Sequence, residues 1–558
     1  EKTLAMLSTG DGYGVFQVEG YGLRQLMKRM KPTHFRDLSA LVALFRPGPL
    51  KAGMDLSYVE RKHGREPIQT IHPLLDDILS DTYGVLVYQE QVLRIARDMA
   101  DYSLADADLL RRAIGKKKLK EMLAHKQRFI QGGVEKGIDE VIMATIWDQI
   151  VGFAEYAFNR AHSAAYARIT AQTAYLKAHH PACFLSAVMS WLQVSSKAWP
   201  GKVRQGVEQL TERGFTVLPP SVNDSRANHQ VVVDENSVVG VRWGLSQIKT
   251  LQATAVATIL NERALNGPFS DVDDFRFRVP KSAASRTSIK ALAGAGALDA
   301  FGVPRSDYVD LIRPKAERGG QGQSSLFSLQ EQGVGSQGGW SWNVQIQEEL
   351  RVLGTTLRGH PLDRYAFLER QLRTETISDV LEKDRFSSGR ILAAVVAVYL
   401  TETHDGRKTA DVIVSDRTGT LLCTFDPRAW TRKAKETLKV GVAIEVIGFF
   451  QPHDSRPFLR VTAWEPMSEV LQRFSAIVGL EMEHWRLQGP TLKALAKVLQ
   501  QHRGTTPAYM RLRRPDSVVE LSLNEGVTLS EVFLEDIERV LGGTGFVRSI
   551  GRLGGMAT

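Results

Sequence analysis

Leu104-Ala-Asp-Ala-Asp-Leu-Leu-Arg-Arg-Ala-Ile-Gly-Lys-Lys-Lys-Leu-Lys120 is the stretch from which the rest of the chain is read. Asp106 and Asp108 predict a helix N-terminus, Arg111 and Arg112 fall near its C-terminal end, and Gly115 predicts its stop. Six cations crowd residues 111–120, and they repel one another unless an anion sits among them. Two readings stand open here. Either the arginines complement the helix dipole while Lys116, Lys117, Lys118 and Lys120 form a solvated turn, or the group receives a polyanion. The neighbouring stretches favour the polyanion.

Upstream, Phe45-Arg-Pro-Gly-Pro-Leu50 places two prolines and a glycine together, which predicts a tight, donor-poor turn holding Arg46 in one direction. Thr82–Gln91 is a short apolar run leading into an amphipathic helix, with Gln89, Glu90 and Gln91 as capping candidates. Downstream, Val141–Val151 predicts a buried helix. Asn159, Arg160, His162 and Ser163 then precede a long Ala-rich helix that Pro181 closes. Ser163 is the expected N-cap, and the free N–H groups of a helix start attract phosphate. The aromatics interleaved there, Tyr156, Phe158 and Tyr166, either stack on bases or belong to the core.

Bulk composition is ordinary for a soluble globular chain: 558 residues, 43% hydrophobic and 24% charged. That length supports three to five domains. A net charge of +9 and a pI near 9.3 suit a polyanionic partner. Two distant cysteines, Cys183 and Cys423, fit a reducing compartment and exclude a cysteine-based zinc site. No apolar run is long enough to span a bilayer, so no membrane partner is expected. Glu1–Leu7 reads as helix from within a domain, and the chain as the back portion of something longer.

Four regions follow. Residues 1–215 read as helices separated by Gly/Pro turns. Residues 216–365 open on Leu218-Pro-Pro220, with a short β stretch and two helical units around 248–262 and 288–298. Gly/Gln/Ser-rich 319–343 is a tether carrying Gln323-Ser-Ser-Leu-Phe327, the form of a peptide that docks in a groove. Residues 366–470 hold five short alternating strands, which predict a closed barrel of the OB type. Arg407, Lys408, Arg417 and Arg460 are candidates to line a single-strand groove on it. Residues 471–558 are mixed α/β. The expected class is thus multidomain α+β. Asp271-Val-Asp-Asp274 resembles a two-metal carboxylate pair but follows a turn, so a helix cap is expected and no metal site.

Several of these stretches, in order, resemble the C-family replicative polymerases of bacteria, the DNA polymerase III alpha subunits. The matching segments include Ala43-Leu-Phe-Arg-Pro-Gly-Pro-Leu50, Arg61-Lys-His-Gly64, Ala107–Lys118, Phe158–Tyr166, Leu218-Pro-Pro220 and Gly359-His-Pro-Leu362. The resemblance implies a fingers domain over 1–215, with Arg46, Arg111, Arg112, Lys116, Lys117, Asn159, Arg160 and His162 facing the incoming dNTP and the template. It implies a little-finger or clamp-binding region with helix-hairpin-helix units over 216–365, and Gln323, Leu326 and Phe327 as a sliding-clamp peptide. An OB domain for single-stranded template and a tail meeting the clamp-loader (tau) subunit complete it.

The implied activity is DNA-directed DNA polymerisation on a primer-template in the bacterial cytoplasm. Mg²⁺ would be held by a palm that precedes these residues, a proofreading subunit would join through that front part, and this stretch would be inactive alone. A non-catalytic DNA- and clamp-binding module and an error-prone paralogue are the alternatives. One departure is noted: relatives carry Gly-Val-Gly where this chain has Thr250-Leu-Gln252, which predicts loss of the glycines that let the first hairpin approach phosphate.

Overall fold

The computed structural model describes residues 1–115, 119–154, 156–196, 199–234, 237–310, 340, 342–383, 386–402, 406–451, 457–541 and 547–551. Lys116, Lys117 and the tether residues Gln323, Leu326 and Phe327 lie outside the described residues. The chain divides into two compact units, Glu1–Phe184 and Leu185–Thr558, so the expected boundary at residue 215 falls inside the second.

The first unit is built from helices around two apolar cores. One core gathers Leu26, Met27, Leu41 and Tyr58 with Ala167 and Ala174 of the helix Arg160–His179. The other gathers Ile95, Met99, Leu110, Phe129 and Trp147 from the helices Gln89–Ala100, Leu104–Gly115, Leu119–Glu135 and Glu140–Ala154. The predicted 104–115 helix is present with Asp106 in its first turn and Arg112 in its last. Phe45–Leu50 departs from the expected turn. Pro47–Lys51 is a single helical turn with Pro47 at its first position and extended Arg46 (φ −145°, ψ 155°) as its cap. Prolines fit there because first-turn N–H groups have no intrahelical partner to lose.

In the second unit, strands β1 (Thr216–Leu218), β2 (Gln230–Asp234) and β3 (Ser237–Arg242) form a small sheet in the order β1-β3-β2. The helices Ala253–Asn266, Val272–Arg278 and Arg286–Ala295 follow. Asp271 caps the middle one, accepting from the N–H groups of Asp273 and Asp274 at 2.9 Å each, as expected. Glycines at 296 and 302 take positive φ at helix ends. A Cβ on Gly296 would lie 2.1 Å from the buried Arg305 guanidinium, so packing requires this glycine.

Strands β4 (Ser387–Glu402), β5 (Lys408–Ser415), β6 (Thr420–Phe425), β7 (Ala443–Gln451) and β8 (Phe458–Pro466) close a barrel in the order β4-β5-β6-β8-β7. Strict alternation puts Ile391, Ala393, Val412, Val414, Cys423 and Phe450 inside. The tail forms a mixed four-stranded sheet whose core takes in Val478, Leu495, Phe533 and Ile537, with Leu362 and Leu368 from before the barrel. Among the described residues, no helix is long and apolar enough to cross a membrane.

Candidate nucleotide and DNA interface

In the first unit, a single parallel bridge between Tyr88 and Phe158 brings together residues distant in sequence. Gln89 N–H donates to the Phe158 carbonyl at 2.9 Å, and the Gln89 side chain donates to the Ala157 carbonyl at 3.3 Å. The same Gln89 side chain accepts from Arg111 Nη1 at 3.2 Å. On the other side, Arg46 donates to the carbonyls of Ala43 (2.9 Å) and Tyr156 (2.5 Å), with its guanidinium 4.3 Å from the Phe158 ring centre. Burial pulls Arg46 below its ordinary pKa. Arg46 and Arg111 are therefore joined through Gln89 and Phe158 on one surface.

Close packing at the turn enforces this. A Cβ on Gly48 would fall 2.0 Å from the Tyr156 ring, so only glycine lets the Arg46 turn seat against the segment that carries Tyr156 and Phe158.

Arg111 and Arg112 share Asp108, both at 2.8 Å. The Arg111 hydrogen bond, first, and the charges of both arginines hold the Asp108 carboxyl below its usual range. Arg160 pairs with Asp81 at 2.6 Å and sits 5.4 Å from the Tyr88 ring centre. His162 lies between Phe158 (5.4 Å) and Tyr166 (4.3 Å). Each of these arginines is matched by a carboxylate of the chain. Half-exposed pairs of this kind contribute about 0–1 kcal/mol, so a phosphate can take the carboxylate's place at little cost.

The start of the long helix differs from expectation. Asn159, not Ser163, is the N-cap, its side chain accepting from His162 N–H at 2.8 Å. Arg160 and His162 thus lie in the first turn. Ser163 is buried and shares a hydrogen bond with Ser39 at 2.7 Å. The phosphate-attracting amide is engaged too: Glu90 accepts from Arg160 N–H at 2.9 Å and from the Asn159 side chain at 3.1 Å. Of the three capping candidates, Gln91 caps its own helix, accepting from Val87 and Tyr88 N–H. Glu90 caps the other helix and Gln89 braces Arg111. Local sequence carries no signal for those two roles, because both partners are far away in the chain.

Arg61-Lys-His-Gly64 serves the fold. Arg61 reaches Glu66 (2.7 Å) and the Gly84 carbonyl (3.2 Å), Lys62 reaches buried Asp37 (2.6 Å), and His63 contacts the Arg29 carbonyl (3.0 Å).

In the second unit, Thr250 holds φ +74°. A β-branched residue rarely enters this region. The hairpin keeps the backbone conformation that a glycine favours, although the glycine is gone. The expected departure is therefore confined to the added side chain. Thr250→Gly is expected to raise the unfolding free energy by about 0.5–1 kcal/mol, relief of about 1–2 kcal/mol of strain exceeding glycine's entropy cost. A shift in the urea midpoint at unchanged m-value checks this.

On the barrel, the four expected cations are spread over several strands and turns. Arg407 and Lys408 are exposed at one end of β5, whereas Arg417 follows its other end and is held by Asp363 (2.8 Å) and Glu369 (2.5 Å). Eight residues of strand put these ends roughly 25 Å apart. Arg460 lies on β8 opposite Phe449 of β7 and pairs with Asp426 at 3.5 Å. Phe449 and Phe386, 41% and 63% exposed, stack at 5.3 Å with 9° between planes. Outward-facing aromatics beside Arg460 were missed in the sequence. Strand alternation through Gly448-Phe449-Phe450 does signal that Phe449 points out while Phe450 points in.

Residues 1–137 match the family model described as bacterial DNA polymerase III alpha subunit finger domain, and residues 214–308 match a helix-hairpin-helix motif. With the barrel, these define a chain that joins a polymerase-type finger region to a helix-hairpin-helix region. Its relatives narrow the class. The DNA polymerase III subunit alpha of Thermus aquaticus is 34% identical over 541 residues, covering 94% of this chain and 43% of the relative. Those of Escherichia coli K12 (32%; 97% and 48%) and Mycobacterium tuberculosis H37Rv (30%; 97% and 47%) align along almost all of this chain. The chain belongs to the bacterial DNA polymerase III alpha family and spans about half the length of the curated relatives it matches.

Proposed function

We propose that this chain is the nucleotide- and DNA-positioning part of a bacterial replicative DNA polymerase. The observation that carries the proposal is the single surface joining Arg46, Arg111, Asn159 and Arg160 around the Tyr88–Phe158 bridge. An incoming deoxynucleoside triphosphate would displace Asp108 from Arg111 and Arg112. Their guanidinium forks grip phosphate oxygens in pairs, and Lys116 and Lys117 would add charge from the following stretch. The half-buried ring of Phe158, already carrying Arg46, would brace the nucleotide side of this surface.

Metal chemistry is assigned elsewhere. Among the described residues, no group of three or more His, Cys, Asp or Glu is placed to hold a metal ion. At the surface, Asp108 and Asp81 are committed to arginines and Glu90 to the start of the helix Arg160–His179. Palm carboxylates outside these residues would hold Mg²⁺. In this reading the helix-hairpin-helix region and barrel hold primer-template, Gln323, Leu326 and Phe327 bind the sliding clamp, the tail meets the clamp loader, and the setting is the bacterial cytoplasm.

Primer extension by the palm-containing polymerase tests the central claim. Arg111→Ala is expected to lower kcat/KM for deoxynucleotide by about 10–100-fold, the loss of one or two charge-assisted contacts of about 1.5–3 kcal/mol. Arg111→Lys should recover part of it, keeping the charge but not the fork. Unchanged kinetics in Arg111→Ala would remove the assignment.

A further inference from the structure

We propose that Gln17 touches a base edge of the pair formed at the finger surface, its side-chain amide donating to a minor-groove acceptor. The proposal rests on the function proposed above and names the contact at the base end of that surface.

The backbone indicates that Gln17 is kept for its side chain. Val18 N–H donates to the Val15 carbonyl at 3.3 Å, so Phe16 and Gln17 are the centre of a turn, and Gln17 holds φ +67°. That place in a turn favours glycine or asparagine. Of the six non-glycine residues with positive φ among the described residues, Lys31, Tyr83, Asp101 and Arg373 end helices, where a left-handed residue is the ordinary stop. Gln17 ends none. The same segment places glycine where its backbone requires it. Gly10 and Gly14 take φ +78° and +71°, and a Cβ on Gly12 would fall 2.2 Å from the Val18 carbonyl oxygen. Gln17 is exposed, so burial does not account for a side chain at this strained position. Strain of this kind collects at ligand contacts, where the surrounding structure holds it in place.

That support is present. Thr170, Thr173 and Lys177 stand at spacings of three and four along one face of the helix Arg160–His179. Thr170 Oγ1 donates to the Phe16 carbonyl at 3.2 Å, and Phe16 N–H donates to Thr173 Oγ1 at 3.2 Å. Lys177, fully buried, donates to Asp11 at 2.5 Å and to the Tyr13 carbonyl at 2.8 Å. The turn is thus fixed on the helix before a ligand arrives.

A row of rings joins this turn to the arginines. Arg46 lies over Phe158, His162 follows at 5.4 Å, Tyr166 at 4.3 Å, and Phe16 lies 5.4 Å beyond Tyr166. A nucleotide whose phosphates are held at the arginines and whose sugar and base follow the row ends at Phe16 and Gln17. The two N–H donors of the glutamine amide match the acceptors A N3 and T O2 of the minor groove. Incoming and template bases both present such acceptors.

Primer extension by the palm-containing polymerase tests the contact. Gln17→Met keeps the length and deletes the donors. We expect it to lower kcat/KM for dATP opposite template T, and for dTTP opposite template A, by about threefold to tenfold, the loss of one neutral hydrogen bond. Gln17→Gly should show the same kinetic loss with a higher urea midpoint, because the backbone strain is relieved. With 3-deaza-dATP, which lacks the N3 acceptor, wild type and Gln17→Met become equal if the incoming base is the partner. With 3-deazaadenine in the template and dTTP incoming, they become equal if the template base is the partner. Wild-type kinetics in Gln17→Met overturns the proposal. So does a loss that neither 3-deaza base abolishes, which assigns the side chain to another part of the protein. A loss in Arg111→Ala beside wild-type kinetics in Gln17→Met removes this inference alone, whereas unchanged kinetics in Arg111→Ala removes the finger surface and this contact with it.

Discussion

Asp37→Ala is expected to destabilise the first unit by about 3–5 kcal/mol, because it strands a buried cation. Lys62 and Asp37 meet at 2.6 Å with side chains 4% and 0% exposed. Asp37 also accepts from Thr33 N–H (2.8 Å), His34 N–H (3.1 Å) and the Tyr58 hydroxyl (3.2 Å). Burial alone would raise its pKa, but the Lys62 hydrogen bond and charge and the two backbone donors outweigh it, and the carboxyl stays below its ordinary value. The folded pKa being depressed, this contribution is present above the unfolded carboxyl's pKa and is lost as pH falls through the folded one.

Asp37→Leu with Lys62→Met should recover much of the loss, since an apolar pair leaves no charge behind. Urea unfolding of the two single variants and the double closes the cycle. A loss under about 1 kcal/mol in Asp37→Ala would show that water reaches Lys62.

Mild acid should destabilise the second unit through two neutral histidines. Burial pushes His229 down to about 3. His360 is pushed down to about 2, first by burial and then by Arg204 and Arg417. His229 is a hydrogen-bond acceptor for Gly244 N–H at 3.2 Å and packs edge-on against Trp243. His360 accepts from Leu362 N–H at 3.2 Å and meets Ser415 at 3.1 Å, tying Gly359-His-Pro-Leu362 to the barrel.

Both rings stay neutral in the fold, whereas the unfolded chain takes up their protons below about pH 6.5. Stability is therefore full above that pH and falls below it, by about 2 kcal/mol per histidine at pH 5 and about 4 kcal/mol for the two. His229→Asn with His360→Asn should flatten the slope of unfolding free energy between pH 6.5 and 5. An unchanged slope would mean that the folded rings titrate normally.

The finger surface shows how shared carboxylates shape its chemistry. Asp108, Asp81 and Glu90 hold Arg111, Arg112, Arg160 and the start of the helix Arg160–His179 in place. In the function proposed above, the cations would thereby be oriented before a nucleotide arrives, and the exchange of carboxylate for phosphate would be weakly opposed. On the barrel, Phe386 and Phe449 stack beside Arg460 as an exposed aromatic surface.

Local patterns determined much of the architecture from sequence alone. Short apolar runs bounded by turns, Ile391–Leu400 and Ala443–Phe450 among them, placed the barrel strands, and the acidic start and glycine stop placed the helix Leu104–Gly115. These are local effects, carried by neighbours one to four residues apart. Only tertiary structure decided which side chains meet. Glu90 caps a helix 70 residues away, Arg417 is held by Asp363 and Glu369, and Arg46 reaches a carbonyl 110 residues downstream. Such pairings depend on how the helices and strands pack, and a single chain's residue order holds no periodic signal for them.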